Sequence, residues 1–385
     1  MTEKLAADAL IEQARQKTGL DDFGGDSFRE GLDVLISDVN ATIDQRAEQG
    51  LARLTGNMIN ALANRLKITD YHKQRPELAR RGVEKPVFVF GIPRTGTTLL
   101  SNLLAADPGR RSPLTWEIDD PVPPPTSASL YNDPRALARL EIERKMLAAR
   151  PEMGKYYRSS AIYPNEDVFI MSNDFKTLMW ESQGLMRNYR DWIFSTDVTS
   201  AYEYHKRFLQ VLQADAPGVW NLKMPSHALY LETLLKVYPD ARLIWTHRDP
   251  YTATGSFCSL VSLGHGSNMQ KPDMEWISAN YPWQAKQHAD RIMDSRAKIG
   301  HDRIVDVHYA ELMQKPIETM RKVYGLLGDD FTAAAQSGMQ AWLDDNPQQK
   351  FGKHEYKLAQ FGLSVDTLKP MFERYLAEYD VEPEG

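Results

Sequence analysis

Residues 87–102 read Val-Phe-Val-Phe-Gly-Ile-Pro-Arg-Thr-Gly-Thr-Thr-Leu-Leu-Ser-Asn. The apolar run Val87–Phe90 lies between a proline and a glycine, which is typical of a short strand buried on both faces of a parallel sheet. Gly91 and Gly96 bracket a tight turn, and Thr97 begins a helix with regularly spaced leucines. A strand, a glycine loop and a helix N-terminus in this order build an anion site from backbone N–H groups and the helix dipole.

The loop nearly matches the pattern G-x-x-x-x-G-K-[ST], in which the lysine reaches the β- and γ-phosphates of a nucleotide. Position 97 is Thr where that pattern has Lys, and a basic residue, Arg94, lies inside the turn instead. A loop without this lysine lacks the side chain that contacts the β- and γ-phosphates of a triphosphate. It suits one 5′-phosphate whose substituent is transferred beneath the Arg94 guanidinium, and an ordinary strand–helix turn is the plainer alternative.

Composition and charge narrow the class of protein. The chain has 385 residues, enough for one large or two medium domains, and a net charge of −6, so any anion site must be local. The single cysteine, Cys258, excludes an internal disulfide and a cysteine-based metal site, and we expect a buried structural thiol in a reducing compartment. Neither a signal peptide nor a membrane span is evident, so we expect a cytoplasmic protein. The net negative charge also leads us to expect no binding to nucleic acid.

Three regions differ in pattern. Residues 1–80 have helical periodicity and form a predicted helical extension, and residues 81–385 form a predicted α/β domain. A helical insertion at about 120–215 contains the aromatic-rich stretch Tyr156–Phe208, in which 12 of 53 residues are aromatic. These aromatic residues could line an apolar acceptor pocket or form the core of the insertion, and the sequence leaves both interpretations open.

The rest of the chain alternates strands with helices. Strands are predicted at 219–222, 242–246 and 303–307, which indicates a parallel sheet with helices on both faces. In such sheets, ligands bind beyond the carboxyl ends of the strands. The basic residues Arg94, Lys223 and Arg248 follow three of these strands. Their convergence on one edge predicts a ligand with several negative charges.

Together these motifs resemble the sulfotransferases that use 3′-phosphoadenosine 5′-phosphosulfate. Pro93–Leu99 is similar to the family's 5′-phosphosulfate loop, and Arg248 with Ser256 matches its pair for the 3′-phosphate. Leu222–Pro225 resembles the K-x-P segment of the Golgi tyrosylprotein and related bacterial branches, whose lysine assists transfer. The resemblance spans residues 86–363. It implies a P-loop NTPase-like fold, with 3′-phosphoadenosine 5′-phosphosulfate as the donor and a hydroxyl group as the acceptor. The aromatic-rich insertion favours an apolar or phenolic acceptor.

The resemblance also assigns roles to individual residues. Arg94 and Lys223 would stabilise the negative charge that develops on the leaving phosphate oxygen. No metal is implied, because these cations are side chains and the histidines lack metal-ligand spacing. The residues implied in donor binding are Arg94, Thr95, Gly96, Thr97, Thr98, Leu99, Arg248 and Ser256, with Lys353, His354 and Tyr356 in a closing segment.

Two residues compete for the role of general base. Some branches use a glutamate about twenty residues after the loop's basic residue, and Glu117 follows Arg94 by slightly more than that spacing. The cytosolic branch uses a histidine where this chain has Pro225, and His227 lies two positions further on. Glu117 is the favoured candidate. The plainer alternatives are a salt bridge for Glu117 and a helix-start residue or a cofactor contact for His227.

Two other functions fit parts of the pattern. A P-loop nucleoside or small-molecule kinase would share the loop, but Thr97 argues against it and it leaves the Arg248–Ser256 pair unexplained. A binding protein that kept the fold without activity would not need Arg94, Lys223 and Glu117 together. The helical extension could form an interface, so a homodimer is compatible with the sequence.

Overall fold

The computed structural model describes residues 3–149, 160–347, 357–381 and 384. Its centre is a five-stranded sheet in the order β2-β3-β1-β4-β5, with every neighbouring pair parallel. The predicted parallel sheet is confirmed, and a two-residue edge strand, β2, joins it. The strands are β1 (Val87–Gly91), β2 (Arg110–Arg111), β3 (Val219–Lys223), β4 (Arg242–His247) and β5 (Ile304–His308).

Helices occupy most of the remaining described chain. No helix within the described ranges combines the length and apolar character needed to cross a bilayer. The helices are α1 (Ala7–Thr18), α2 (Arg29–Ala41), α3 (Glu48–Gln74), α4 (Thr97–Ala105), α5 (Thr115–Asp119), α6 (Pro134–Ala149), α7 (Val168–Met171), α8 (Leu178–Glu181), α9 (Arg187–Ile193), α10 (Thr199–Leu212), α11 (Leu231–Val237), α12 (Pro250–Asn268), α13 (Met274–Ile299), α14 (Tyr309–Gln314), α15 (Pro316–Leu327), α16 (Ala333–Asp345) and α17 (Val365–Glu378).

The strand β1 separates two apolar cores because successive side chains of a strand point to opposite faces. Phe88 and Phe90 pack into one core, which includes α10, α11 and α13. Val87 and Val89 pack into the other, which includes α4, α14, α15 and α16. Both faces of the sheet are therefore covered by helices, which confirms the predicted fold class.

The predicted helical character of the extension is confirmed in its described part by α1, α2 and α3. The buried side chains of these helices, Leu35 and Met58 among them, belong to the same core as Phe88. A buried ion pair between Arg65 of α3 and Asp174 also joins the extension to the insertion, with 2.6 Å between Nη1 and Oδ1. The extension is thus packed onto the body, and a domain boundary near residue 80 stays a prediction.

Most aromatic residues of the insertion are buried, so for these the structure favours the core interpretation over an acceptor pocket. Tyr163 and Phe169 differ, because 44% and 39% of their surface is exposed. Tyr156 and Tyr157 lie outside the described residues. The buried aromatic residues are Phe175, Trp180, Tyr189, Phe194, Tyr202, Tyr204 and Phe208.

Cys258 lies on α12 and is fully buried, as the sequence predicts. Burial raises the pKa of its thiol to about 12, because the thiolate would lose its hydration. A thiol in this state is a structural residue and a poor nucleophile.

Candidate active site

The glycine loop between β1 and α4 has an unusual backbone. Arg94 and Gly96 have φ values of 75° and 94°, in the left-handed region. A Cβ at Gly96 would lie 2.6 Å from the ring of Tyr309, so this position needs glycine for space as well as for φ. Helix α4 has no side-chain cap. The first N–H groups of a helix have no intrahelical acceptor, which leaves them available to an anion.

Thr95 holds this loop against the neighbouring strand. Its Oγ1 lies 2.7 Å from both the carbonyl oxygen of Ile92 and Oγ1 of Thr246 on β4. Gly91 fits the same contact, since a Cβ there would approach both threonines within 3 Å. Thr95 is fully buried, so its backbone N–H, rather than its hydroxyl, is what it can offer a ligand. Thr98, in contrast, is exposed.

The structure brings together three of the residues expected at the anion site. Nε of Arg94 donates a hydrogen bond to Oγ of Ser256 on α12, at 3.0 Å. Nη1 of Arg248, just after β4, donates to the carbonyl oxygen of Arg94 at 2.9 Å. The Arg248 guanidinium also lies 4.3 Å from the centre of the Tyr309 ring. Two cations and a hydroxyl therefore meet at the loop.

Tyr309 is a site residue that the sequence analysis missed. It is half-buried just after β5 and contacts both the loop and Arg248. Its position directly after a predicted strand was a usable signal, because the ends of parallel strands share one edge. An aromatic ring there offers a flat surface to a nucleoside.

Lys223, the last residue of β3, extends the site on its other side. Its Nζ lies 3.4 Å from Oγ1 of Thr98 and 2.5 Å from Oε1 of Glu166. The lysine side chain is 8% exposed, whereas that of Glu166 is 33% exposed. The structure therefore places a solvent-accessible carboxylate beside the loop, and the sequence analysis did not single out this residue.

Glu117 does not have the environment expected of a base. It is fully buried, and its two carboxylate oxygens accept hydrogen bonds from Arg111 at 2.5 and 2.9 Å. One oxygen also accepts the N–H of Leu114 at 3.1 Å. Both carboxylate oxygens therefore have donors inside the protein, and the buried side chain presents no surface to an acceptor hydroxyl. This environment favours the alternative interpretation of Glu117, a structural salt bridge, over the predicted general base.

We expect Glu117→Gln to destabilise the protein by about 3–5 kcal/mol, because it leaves the buried Arg111 without its counter-charge. Urea unfolding followed by circular dichroism measures this change. A loss of less than about 1 kcal/mol, the size expected of an exposed pair, would contradict the structural role.

His227 is also enclosed by other side chains. It is fully buried, with Nε2 3.0 Å from Oδ2 of Asp167 and Nδ1 2.8 Å from the hydroxyl oxygen of Tyr202. Burial lowers its pKa, since the imidazolium would lose its hydration. Both ring nitrogens are used inside the core, so the geometry does not support His227 as a base for an acceptor.

Three further predicted site residues belong to the closing segment. Lys353, His354 and Tyr356 lie outside the described residues. Among the residues that are described, no three His, Cys, Asp or Glu side chains are arranged to hold a metal ion.

Arg248 has a carboxylate bound to it. Its Nε and Nη2 donate to the two carboxylate oxygens of Glu384, each at 2.6 Å. The backbone N–H of Glu384 lies 3.2 Å from Oδ2 of Asp249. Two parallel hydrogen bonds of this kind are the geometry in which a guanidinium binds carboxylate or phosphate. The contact shows that this arginine presents its fork to an anion.

Comparisons with known proteins agree with this geometry. Residues 86–333 match the profile of the Sulfotransferase family. The crystal structure of sulfotransferase STF9 from Mycobacterium avium is 41% identical, with a TM-score of 0.94 over all of both chains. That of STF1 from Mycobacterium tuberculosis H37Rv is 28% identical, with a TM-score of 0.84 over 97% of this chain and 99% of that chain.

A curated relative has a named substrate. Omega-hydroxy-beta-dihydromenaquinone-9 sulfotransferase Stf3 from Mycobacterium bovis is 22% identical over 317 residues, which are 76% of this chain and 75% of the relative.

Proposed function

This chain belongs to the Sulfotransferase family, and we propose that it moves a sulfuryl group from 3′-phosphoadenosine 5′-phosphosulfate to the hydroxyl of a small, apolar or phenolic acceptor. The observation that carries the proposal is the meeting of Arg94, Arg248 and Ser256 at a loop that lacks the triphosphate-binding lysine. The similar solved structures are sulfotransferases rather than kinases, which argues against the kinase alternative.

The donor fits the groups that surround the loop. The N–H groups of Thr95–Leu99 at the N-terminus of α4 would hold the 5′-phosphate. Arg248 and Ser256 would hold the 3′-phosphate, and the carboxylate on Arg248 supports this because it already occupies a bidentate anion position. Tyr309 lies beside Arg248, where it can contact the nucleoside.

We assign the general base to Glu166. Its carboxylate is solvent-accessible and contacts Lys223, whose Nζ also reaches Thr98, whereas Glu117 is enclosed by Arg111. The donor, when bound, supplies an activated sulfuryl group. Glu166 takes the proton of the acceptor hydroxyl as that oxygen bonds to sulfur. The bond from sulfur to the 5′-phosphate oxygen breaks, and Lys223 and Arg94 stabilise the charge left on that oxygen. The second product is adenosine 3′,5′-bisphosphate.

An apolar alcohol is the acceptor class that we infer. Tyr163 and Phe169 flank Glu166 in the chain and expose part of their rings. The Stf3 relative is named for a hydroxylated menaquinone, an alcohol on an apolar chain. We therefore propose a lipid or aryl alcohol rather than a free sugar. A cytoplasmic location and a homodimer stay predictions.

The test is transfer of ³⁵S from labelled donor to a panel of apolar alcohols and phenols, with hydroxylated quinones included. The expected result is label in at least one acceptor and release of adenosine 3′,5′-bisphosphate. The proposal fails if no alcohol is labelled while ATP–Mg²⁺, and not adenosine 3′,5′-bisphosphate, raises the melting temperature. That result would restore the kinase alternative, since a bound ligand stabilises the folded state.

Glu384→Ala is expected to tighten binding of adenosine 3′,5′-bisphosphate by about two- to fivefold, because the ligand no longer displaces a carboxylate in a partly exposed ion pair. Calorimetric titration measures the change. Glu373→Ala, on the exposed surface of α17, is the matched control for charge. Equal affinities for the two variants would mean that Glu384 does not compete for the 3′-phosphate position.

A further inference from the structure

A connected set of buried polar side chains adjoins the Glu166–Lys223 pair. Asp167 follows Glu166 directly, and its carboxylate faces the imidazoles of His227 and His205, whose Nε2 atoms lie 3.0 and 3.8 Å from its oxygens. The other nitrogen of each imidazole contacts a tyrosine hydroxyl, Tyr202 at 2.8 Å and Tyr238 at 2.7 Å. All five side chains are at most 1% exposed. We refer to them as the Asp167 network.

The proton positions in the Asp167 network follow from its chemistry. Burial alone would raise the pKa of Asp167, but its contacts with His205 and His227 hold it below its ordinary value, so the carboxylate is ionised. An ionised carboxylate only accepts, so Nε2 of His227 carries a proton. Burial lowers the pKa of His227, so the ring is neutral and Nδ1 accepts from Tyr202. The hydrogen bond from His227 is thus directed at one buried charge.

The bond between Asp167 and His227 joins the two segments that carry the reacting groups. On one side, the N–H of Asp167 donates to the carbonyl oxygen of Lys223 at 3.1 Å. On the other, His227 lies in the turn that follows Lys223, where its N–H donates to the carbonyl of Met224 at 3.1 Å. One side-chain bond and one backbone bond therefore fix the separation of Glu166 from Lys223.

A buried charge is a costly way to obtain stability alone, because well-packed apolar residues of similar volume often serve as well. A buried carboxylate that accepts an oriented hydrogen bond does, however, fix the positions of the segments it joins. We propose that Asp167 and His227 are positioning residues, which hold the Glu166 carboxylate against Lys223 in the orientation that proton transfer needs. This inference rests on the role proposed for Glu166.

Three substitutions separate positioning from packing. Asp167→Asn keeps the shape but removes the buried charge, and its amide has one accepting oxygen where the carboxylate has two. His227→Gln keeps a donor near the position of Nε2 and so can still reach Asp167. His227→Asn keeps a polar group near Nδ1, beside Tyr202, but does not reach Asp167.

We expect Asp167→Asn and His227→Asn to lower kcat by about 10- to 100-fold, because a small displacement of a reacting group is costly. His227→Gln should retain kcat within about fivefold, and the Kd for adenosine 3′,5′-bisphosphate should stay within about twofold in all three. Hydrogen exchange followed by mass spectrometry should be faster in peptides that cover residues 166–171 and 223–227, but not in α1–α3, for the two damaging variants only.

The control is Glu181→Gln, another fully buried carboxylate, which accepts from Asn280 at 2.7 Å and lies outside the site. It should change stability and leave kcat and exchange at residues 166–171 unaltered. Faster exchange throughout the chain in Asp167→Asn, or equal kcat for His227→Gln and His227→Asn, would overturn the positioning role. Local exchange changes in a protein that labels no acceptor would instead retain the network and reject the proposed function.

Discussion

Glu166→Gln is expected to lower kcat by about 10²- to 10⁴-fold, the contribution typical of a general base. The substitution keeps the size of the side chain and its contact with Lys223 but removes the group that takes the acceptor proton. The proposed donor site consists of the loop, Arg248 and Ser256 and does not include Glu166, so the Kd for adenosine 3′,5′-bisphosphate should stay within about twofold. Stopped-time assays with labelled donor at saturating acceptor measure kcat directly.

Glu117→Gln is the matched control, because it makes the same chemical change in a carboxylate that is paired with Arg111. Measured well below its melting temperature, this variant should keep kcat within about threefold of the wild type, since a structural pair contributes to stability and not to the reaction step. The reverse outcome, a large loss for Glu117→Gln and a small one for Glu166→Gln, would restore Glu117 as the base.

Lys223→Met is expected to lower kcat by about 10²- to 10³-fold, the loss typical when one group that stabilises developing charge is removed. The methionine retains much of the side-chain length, so the change is mainly one of charge. Lys223→Arg should recover part of the rate. An increase in KM for the acceptor with unchanged kcat would contradict this role, because it would indicate ground-state binding alone.

The pair Glu166 and Lys223 should also be coupled. Their 2.5 Å contact means that each single change alters the environment of the other. The loss in the double variant should therefore be smaller than the product of the two single losses. Strictly multiplicative losses would mean that the two residues act independently.

The sheet and the meeting of Arg94 with Arg248 at its edge were predictable from sequence. A buried parallel strand is a short apolar run, and the residue after it must lie at the common edge of the sheet. That rule located Arg94, Lys223 and Arg248 from local patterns alone. It would also have located Tyr309, which directly follows β5.

The acceptor side was not predictable in the same way. Glu166 lies in an irregular segment and reaches Lys223 through a contact between residues 57 positions apart in the chain. Spacing suggested Glu117, but spacing does not reveal that Arg111, in a two-residue strand, encloses it. His227 faces the core because a 3₁₀ turn, Pro225–Leu229, replaces the expected helix start. These are tertiary contacts without a periodic signal.

We propose that the loop after β1 binds a nucleotide with single phosphates at the 5′ and 3′ positions. Calorimetric titration with adenosine 3′,5′-bisphosphate, adenosine 5′-phosphate and ATP–Mg²⁺ tests it most directly. We predict that the bisphosphate binds at least about 10-fold more tightly than the monophosphate, equivalent to about 1.4 kcal/mol for the contacts of Arg248 and Ser256. Equal affinity for the two, or tighter binding of ATP–Mg²⁺, would contradict the account.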